Sequence, residues 1–458
     1  MSSPPITGSQ LTRGKWAFAY ALVTSLFFTW GFAYGLLDVL NAHFQVVFHI
    51  DKTRSTLLQL AYFGAYLVFS PFAGIFMRKY GYKAGIHLGL TLYSLGAVFF
   101  WPSAKFAKYG GFVGCTFVIG CGLATLEVAA NSYISVLGSS KYAAARLNFS
   151  QGFQGVASFA GPLIASRWFF LGANATRLET VQWVYLAVAG LGLVLNILFY
   201  FCDLPEIEQE VTSYDVYNDQ KVESFWRQWR CIFGFVAQTA YVGAQVGVAS
   251  LAVNFMVEQG IGLSPSKASQ LFSFCQITFT VGRFVGVLLL NYVDPALLLT
   301  FYGICCCIFS LAVAFATGKA GIGCLFALFF FESICYPCIF TLGTKNLGVH
   351  TKQGSGLIVM GVGGGAWYPP AQASVADRVS TRRSYLVPFS GYIAMTLYAC
   401  GLVIDQTRKD GFRLRNVEEK YHPSANNRLS EEDPRVSGVP ETGEKGGFEE
   451  SEKDKVDG

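Results

Sequence analysis

Glu127-Val-Ala-Ala-Asn131-Ser-Tyr-Ile134-Ser-Val-Leu137-Gly138 and Glu332-Ser-Ile-Cys-Tyr336-Pro-Cys-Ile339-Phe-Thr-Leu342-Gly343 repeat Glu, Ile, Leu and Gly at identical spacing, 205 residues apart. Each stretch closes a long apolar run. A fainter echo pairs Phe72-Ala-Gly74 and Tyr80 with Phe284-Val-Gly286 and Tyr292. One such match could arise by chance in glycine-rich apolar sequence. Two at nearly one offset indicate two halves of the chain related as parallel repeats.

Composition says what the halves are made of. Hydrophobic residues are 52% of the 458 and charged residues only 14%, against about 25% charged in a soluble globular chain. A soluble core could not leave so few charges outside, so soluble enzymes and nucleic-acid binders are excluded, and a polytopic all-α membrane protein is expected. The net charge of +5 implies no acidic partner. Windows of about 19 residues give twelve spans: 16–41, 55–77, 84–102, 110–137, 147–171, 180–202, 230–257, 266–289, 294–316, 320–343, 354–375 and 384–405. The expected organisation is a polar N-terminus (1–15), a six-helix bundle (16–202), a charged linker (203–229), a second six-helix bundle (230–405) and a tail (406–458). The tail beyond Asn426 is rich in Glu, Lys, Gly, Pro and Ser and is expected to be disordered, because burial cannot offset its ordering entropy. Residues 1–15 carry no short apolar core or cleavage site, so the first span is expected to act as the insertion signal.

Lys and Arg in short loops set the orientation. With both termini cytoplasmic, that side holds Arg78, Lys79, Lys83, Lys141, Arg146, Arg227, Arg230, Lys345 and Lys352, an excess of about three to two over the other side. Asn174-Ala-Thr176 then falls outside, where Asn174 could be glycosylated. The twelve cysteines mostly lie in apolar spans and read as small packing residues.

An ionisable side chain inside a span costs ~2.5–3.5 kcal/mol on insertion scales, so each needs a reason. Trp30, Tyr34, Asp38 and Asn41 share one face of the first span at three-to-four spacing. Glu127 and Asn131 are i, i+4 in span four, Gln151 and Gln154 share a face of span five, and Glu332 and Tyr336 repeat the arrangement in span ten. With Gln245 and Asn254 these would line a polar cavity on aromatic walls, suited to a polyhydroxylated or otherwise polar small solute. The plainer reading of each Asn or Gln is an interhelical hydrogen bond, worth only ~0.6 kcal/mol on average. That reading fits Asp38 and Glu127 poorly, since a carboxylic acid is poor glue and a good proton carrier. Glu332 is a candidate additional acid. Arg283 reads as a structural cation near a helix end bonding loop carbonyls, and Arg78, Lys79 and Lys83 as a gating turn and topology signal.

Several chemistries are missing from the sequence. Gly318-Lys319 is followed by Ala320 and lacks the upstream Gly of a phosphate loop, so ATP is not expected to drive the protein. Gly361–Ala366 has no preceding strand and reads as close helix packing and bending. The histidines (His43, His49, His87, His350, His422) are scattered. No metal, no cofactor, no enzymatic activity and no obligate protein partner is expected; the partners are a small-molecule substrate, protons and lipid.

Phe28-Thr-Trp30-Gly, Asp38, Arg78-Lys-Tyr-Gly-Tyr-Lys-Ala-Gly85-Ile, Leu126-Glu127-Val-Ala-Ala-Asn131, Val136-Leu-Gly138 and Arg146-Leu-Asn148 resemble the L-fucose permease branch (fucose and glucose/galactose proton symporters) of the major facilitator superfamily. So do Tyr241-Val-Gly-Ala-Gln245, Gly282-Arg-Phe284, Tyr336-Pro, Lys345-Asn-Leu-Gly348 and Thr351-Lys352. The resemblance covers about residues 25–375. It implies a twelve-helix alternating-access symporter in the cell membrane, with Asp38 and Glu127 carrying protonation and substrate contact and Tyr336 in the pocket. The chain departs from the family pattern at Gly35, Gln154, Ala249-Ser250 and Asn254, and Glu332 has no acidic counterpart there. The proton machinery is retained while the pocket is altered. The substrate is therefore a monosaccharide or, alternatively, a non-sugar metabolite moved in or out. A non-transporting sensor is a weaker third reading, because the tail shows no folded or repeat elements. Deleting residues 426–458 should leave transport by purified, reconstituted protein unchanged; loss of uptake in that assay would show that the tail belongs to the working core.

Overall fold

In a bilayer every backbone N–H and C=O must find its partner within the protein, which leaves helices as the way for these apolar runs to cross. The computed structural model describes residues 6–7, 11–48, 52–168, 179–208 and 224–417. Span one is α1 (Arg13–Phe48). Spans two and three form α2 (Lys52–Lys105), continuous except at Gly81, whose φ of 88° and ψ of 173° only glycine tolerates. Spans four to six are α3 (Tyr109–Val136), α4 (Ala143–Trp168) and α5 (Glu179–Phe201).

The second half runs through α6 (Trp229–Val257), α7 (Pro265–Tyr292) and α8 (Pro295–Phe315). The last two open on an N-cap followed by proline: Ser264 accepts from the Lys267 N–H, and Asp294 from those of Ala296 and Leu297. Span ten is split into α9 (Gly318–Glu332) and α10 (Cys335–Gly343). Pro337 explains the break, because it lacks an N–H and its ring crowds the carbonyl four residues earlier, at Ser333. Span eleven is α11 (Thr351–Met360), a 3-10 turn over Gly361–Ala366 and α12 (Tyr368–Arg378). Span twelve is α13 (Thr381–Ser384) with α14 (Leu386–Asp410).

Eight of the described helices, some covering two spans or joining two segments, are long and apolar enough to cross a membrane. Apolar side chains such as Phe201, Tyr292 and Leu397 are exposed on the outside, where lipid would cover them.

Within the halves, α1 packs on α4, α2 on α3 and α5, and α14 on α6 and α8. Across them, α2 packs on α11 and the 3-10 turn, α4 on α7 and α10, and α3 on α11. The α2–α11 crossing is a backbone contact: a Cβ added to Gly356 would lie 2.6 Å from the Ser70 carbonyl oxygen, the close approach that small residues permit between membrane helices. Beyond α14 the chain turns back. The Asp294 N–H donates to Leu414 O (3.1 Å) and the Asn416 N–H to Tyr292 O (2.9 Å), while Asn416 Nδ2 donates to Leu290 O (2.8 Å) and Lys141 O (2.7 Å). Residues 406–417, expected to start the tail, thus extend α14 and dock on the bundle. At the other terminus Ile6–Thr7 pairs in parallel with Ile207–Glu208.

Gly356→Val should wedge α2 from α11. Spin labels at the exposed positions 79 and 349, one in each half, are expected to shift to longer distances; an unchanged distribution would mean that this crossing does not hold the halves together.

Candidate functional site

The second segment of span ten touches the opposite half. Tyr336 lies one turn past Glu332, and its hydroxyl donates to Glu127 Oε1 on α3 at 2.5 Å. Asn131 Nδ2, one turn along α3, donates to the same hydroxyl oxygen at 3.3 Å. The two members of the sequence repeat therefore meet through side chains near the middle of the bundle. Glu127 is 8% exposed and Asn131 fully buried. Glu127 Oε2 and Asn131 Oδ1 have no hydrogen-bond partner among the described residues. Tyr66 of α2 faces the Glu127 carboxyl; its hydroxyl accepts from Trp30 Nε1 at 2.6 Å and lies 3.4 Å from that of Tyr62.

A second tie joins the halves beside the first. Arg283 Nη1 donates to Gln151 Oε1 at 2.7 Å, and Asn148 Nδ2 donates to the Arg283 carbonyl at 2.6 Å. Arg283 stacks on Phe279, with 4.8 Å from its guanidinium to the ring centroid, and acts electrostatically on Glu127. The expectation for this residue needs correction. Arg283 is buried inside α7 and bonds an amide of the other half, not loop carbonyls at a helix end, because a cation held in the bundle interior needs acceptors there.

The other expected residues divide. Gln154 and Gln245 are half-buried and Asn254, near the end of α6, is exposed; no described hydrogen bond of their side chains joins them to the Glu127 cluster. The side chains of Tyr34, Asp38 and Asn41 lie outside the described residues, although the helix carrying them is described, and Asn174 lies outside them altogether. Arg78 and Lys83 sit where the halves close. Arg78 Nη1 donates to Gln353 Oε1 at 3.2 Å. Lys83 Nζ donates to Tyr200 O (3.1 Å) and Cys202 O (2.9 Å), while its backbone N–H donates to Glu206 Oε1 at 3.2 Å. The other Glu206 oxygen takes Lys352 Nζ at 3.3 Å, so a residue counted with the linker bridges the halves. Lys79 lies over the Tyr80 ring.

Sequence reasoning missed Tyr62, Tyr66, Asn148 and Gln238. The i, i+4 spacing of the two tyrosines in span two was an available signal, as was the amide of Gln238 inside span seven. Gln238 is fully buried with neither side-chain polar atom paired among the described residues.

A sequence profile of the Major Facilitator Superfamily matches residues 17–366. The chain belongs to the major facilitator superfamily. Within this superfamily it is 32% identical over 399 residues to a glucose/galactose transporter of Brucella abortus, covering 86% of this chain and 96% of that protein. It is 33% identical to the L-fucose-proton symporter of Escherichia coli, over 78% of this chain and 86% of the relative. The crystal structure of the E. coli fucose:proton symporter superposes with a TM-score of 0.74 at 31% identity, over 85% of this chain and 99% of that one. A proton:xylose symporter at 12% identity, with a TM-score of 0.65, shares the fold. The protein is thus a multi-pass membrane protein with the twelve-helix major facilitator architecture.

Tyr336→Phe strips Glu127 Oε1 and Asn131 Nδ2 of a buried partner, a change that costs about 1–3 kcal/mol. The purified variant should melt several degrees below the parent in a thermal-shift assay; an equal melting temperature would argue that the bond contributes nothing to this state.

Proposed function

We propose that the protein is a secondary active transporter that carries a monosaccharide together with protons by alternating access. One observation carries this reading: the intramembrane acid Glu127 is bonded across the interface to Tyr336 of the other half, beside buried polar atoms, Glu127 Oε2 and Asn131 Oδ1, that have no hydrogen-bond partner among the described residues. A neutral carboxyl and a carboxylate make different bonds to a tyrosine hydroxyl. Protonation at this point therefore acts on the contact between the halves. The names of the sugar-transporting relatives support the same substrate class.

In this reading Asp38 serves mainly the proton and Glu127 both proton and sugar. Trp30, Tyr34, Asn41, Asn131, Gln151, Gln154, Gln245, Asn254 and Tyr336 line the path or pocket, with hydroxyls and amides exchanging hydrogen bonds with sugar hydroxyls. The described ties between the halves lie from mid-bundle to the end carrying both termini, so this is the state closed at that end. With cytoplasmic termini in the plasma membrane, that end is the cytoplasmic one. The altered pocket positions, Gln154 and Asn254 among them, support a second reading in which the cargo is another small polar metabolite. In either case the protein is a carrier and not an enzyme.

The test is uptake into proteoliposomes under an imposed pH gradient, across hexoses and deoxyhexoses. Asp38→Asn should abolish gradient-driven accumulation yet spare some counterflow, since the amide imitates a permanently protonated acid. Glu127→Gln should also weaken sugar binding. Accumulation by Asp38→Asn at an unchanged pH dependence would replace proton coupling with a uniport or sodium-coupled mechanism.

A further inference from the structure

Span ten holds a second carboxyl that the transport reading leaves unused. Glu332 ends α9 and is fully buried within the C-terminal half. Tyr392 of α14 donates to its Oε1, and Tyr241 of α6 donates to its backbone carbonyl at 2.7 Å. Its Oε2 is buried with no hydrogen-bond partner among the described residues.

The titratable groups facing Glu332 come from every side: Tyr241 on α6, Cys275 on α7, Cys306 on α8 with its neighbour Cys335 on α10, Tyr392 on α14 and Tyr385 just before it. The charged side chain nearby, Arg283, acts on Tyr241 but makes its described hydrogen bond with Gln151. Hydroxyls and thiols thus surround the carboxyl, and among the described ion pairs none includes it. Oε2 is left without a partner in either protonation state. A neutral acid can place its proton on Oε1 and donate it to the Tyr392 hydroxyl oxygen, whereas a carboxylate lacks a second donor or a cation. A buried oxygen left in that condition calls for a functional explanation.

Its position along the chain supplies the rest. Glu332 stands on one side of the break caused by Pro337 and Tyr336 on the other, and Tyr336 holds Glu127 of the opposite half. Any movement of α10 that makes or breaks the Tyr336–Glu127 bond also changes what Glu332 faces.

We propose that Glu332 is a second proton-binding site of the transport cycle, located in the C-terminal half and coupled to Glu127 through the broken helix. This inference rests on the proton-coupled reading above. A proton from the open side binds at the carboxylate, forming an O–H bond. The same bond breaks to release the proton to water on the other side once α10 has moved; no electrons are transferred and no other reactant is needed.

The experiment measures protons and sugar together in proteoliposomes, with L-fucose, D-glucose or D-galactose, whichever the parent protein accumulates, as the labelled probe and a pH dye reporting proton entry. Glu332→Gln is expected to lower the proton-to-sugar ratio and to remove one titrating step from the pH profile of uptake, while counterflow continues. Tyr392→Phe, which removes the donor to Oε1, is expected to displace that step along the pH axis without lowering the ratio. A Glu332→Gln protein with the parental ratio and profile overturns the inference. If that variant loses its unfolding transition, Tyr392→Phe decides, and an unmoved profile overturns it. Parent uptake that ignores pH altogether would instead remove the proton-coupled reading on which both acids depend.

Discussion

A carboxyl buried in a membrane bundle must have a partner, and for Glu127 the partner stands on the other half of the molecule. That constraint organises the centre. Tyr336 reaches Glu127 from the second segment of span ten, just past the break at Ser333 and Ile334. The Glu332 carbonyl beside the break takes the Tyr241 hydroxyl. Arg283 and Gln151 form a parallel tie, so the halves cannot part at this depth without leaving several polar groups unpaired at once. An interface of that kind has discrete arrangements with satisfied bonds and little between them, which is what alternating access requires.

The end of the bundle nearest the termini is held differently. There α2 and α11 touch backbone to backbone at Gly356, and the polar contacts around them are partly solvated. Exposed ion pairs such as Lys352–Glu206 contribute little individually, so close packing supplies most of the hold and the charged groups set its register. In the proposed cycle the polar centre is the part that senses protons and solute, while the glycine crossing depends on shape alone. A cycle linking them would pass a chemical event at Glu127 to a mechanical one at α2–α11.

Much of this was legible in the sequence, for definite reasons. Bilayer thickness fixes the length of an apolar run, so the twelve spans could be counted directly, and the Glu127/Glu332 repeat gave the relation between the halves. The Glu127–Asn131–Tyr336 group followed from helical spacing, together with the family resemblance for the tyrosine. Other parts were less accessible. Tyr62 and Tyr66 read as apolar bulk until their hydroxyls are seen to bond Trp30 and face Glu127. Arg283 was misread because a lone arginine in a span suggests a helix end, whereas its acceptor, Gln151, is far away in sequence. The part played by Glu206 was hidden because a charged residue in a linker looks like solvent-facing chain, and the break at Pro337 because proline is frequent in membrane helices without ending them.

Gly81 makes room for a contact at the end of the bundle nearest the termini. Spans two and three are joined through this single non-helical residue, and Glu206 is received there by a backbone N–H, that of Lys83, in the space a β-carbon on Gly81 would fill. The receiving N–H is fixed to the main chain of α2, while the Glu206 side chain keeps its own rotamers. The clasp is therefore a fixed socket for a movable plug, and the socket exists only because residue 81 has no β-carbon to fill it.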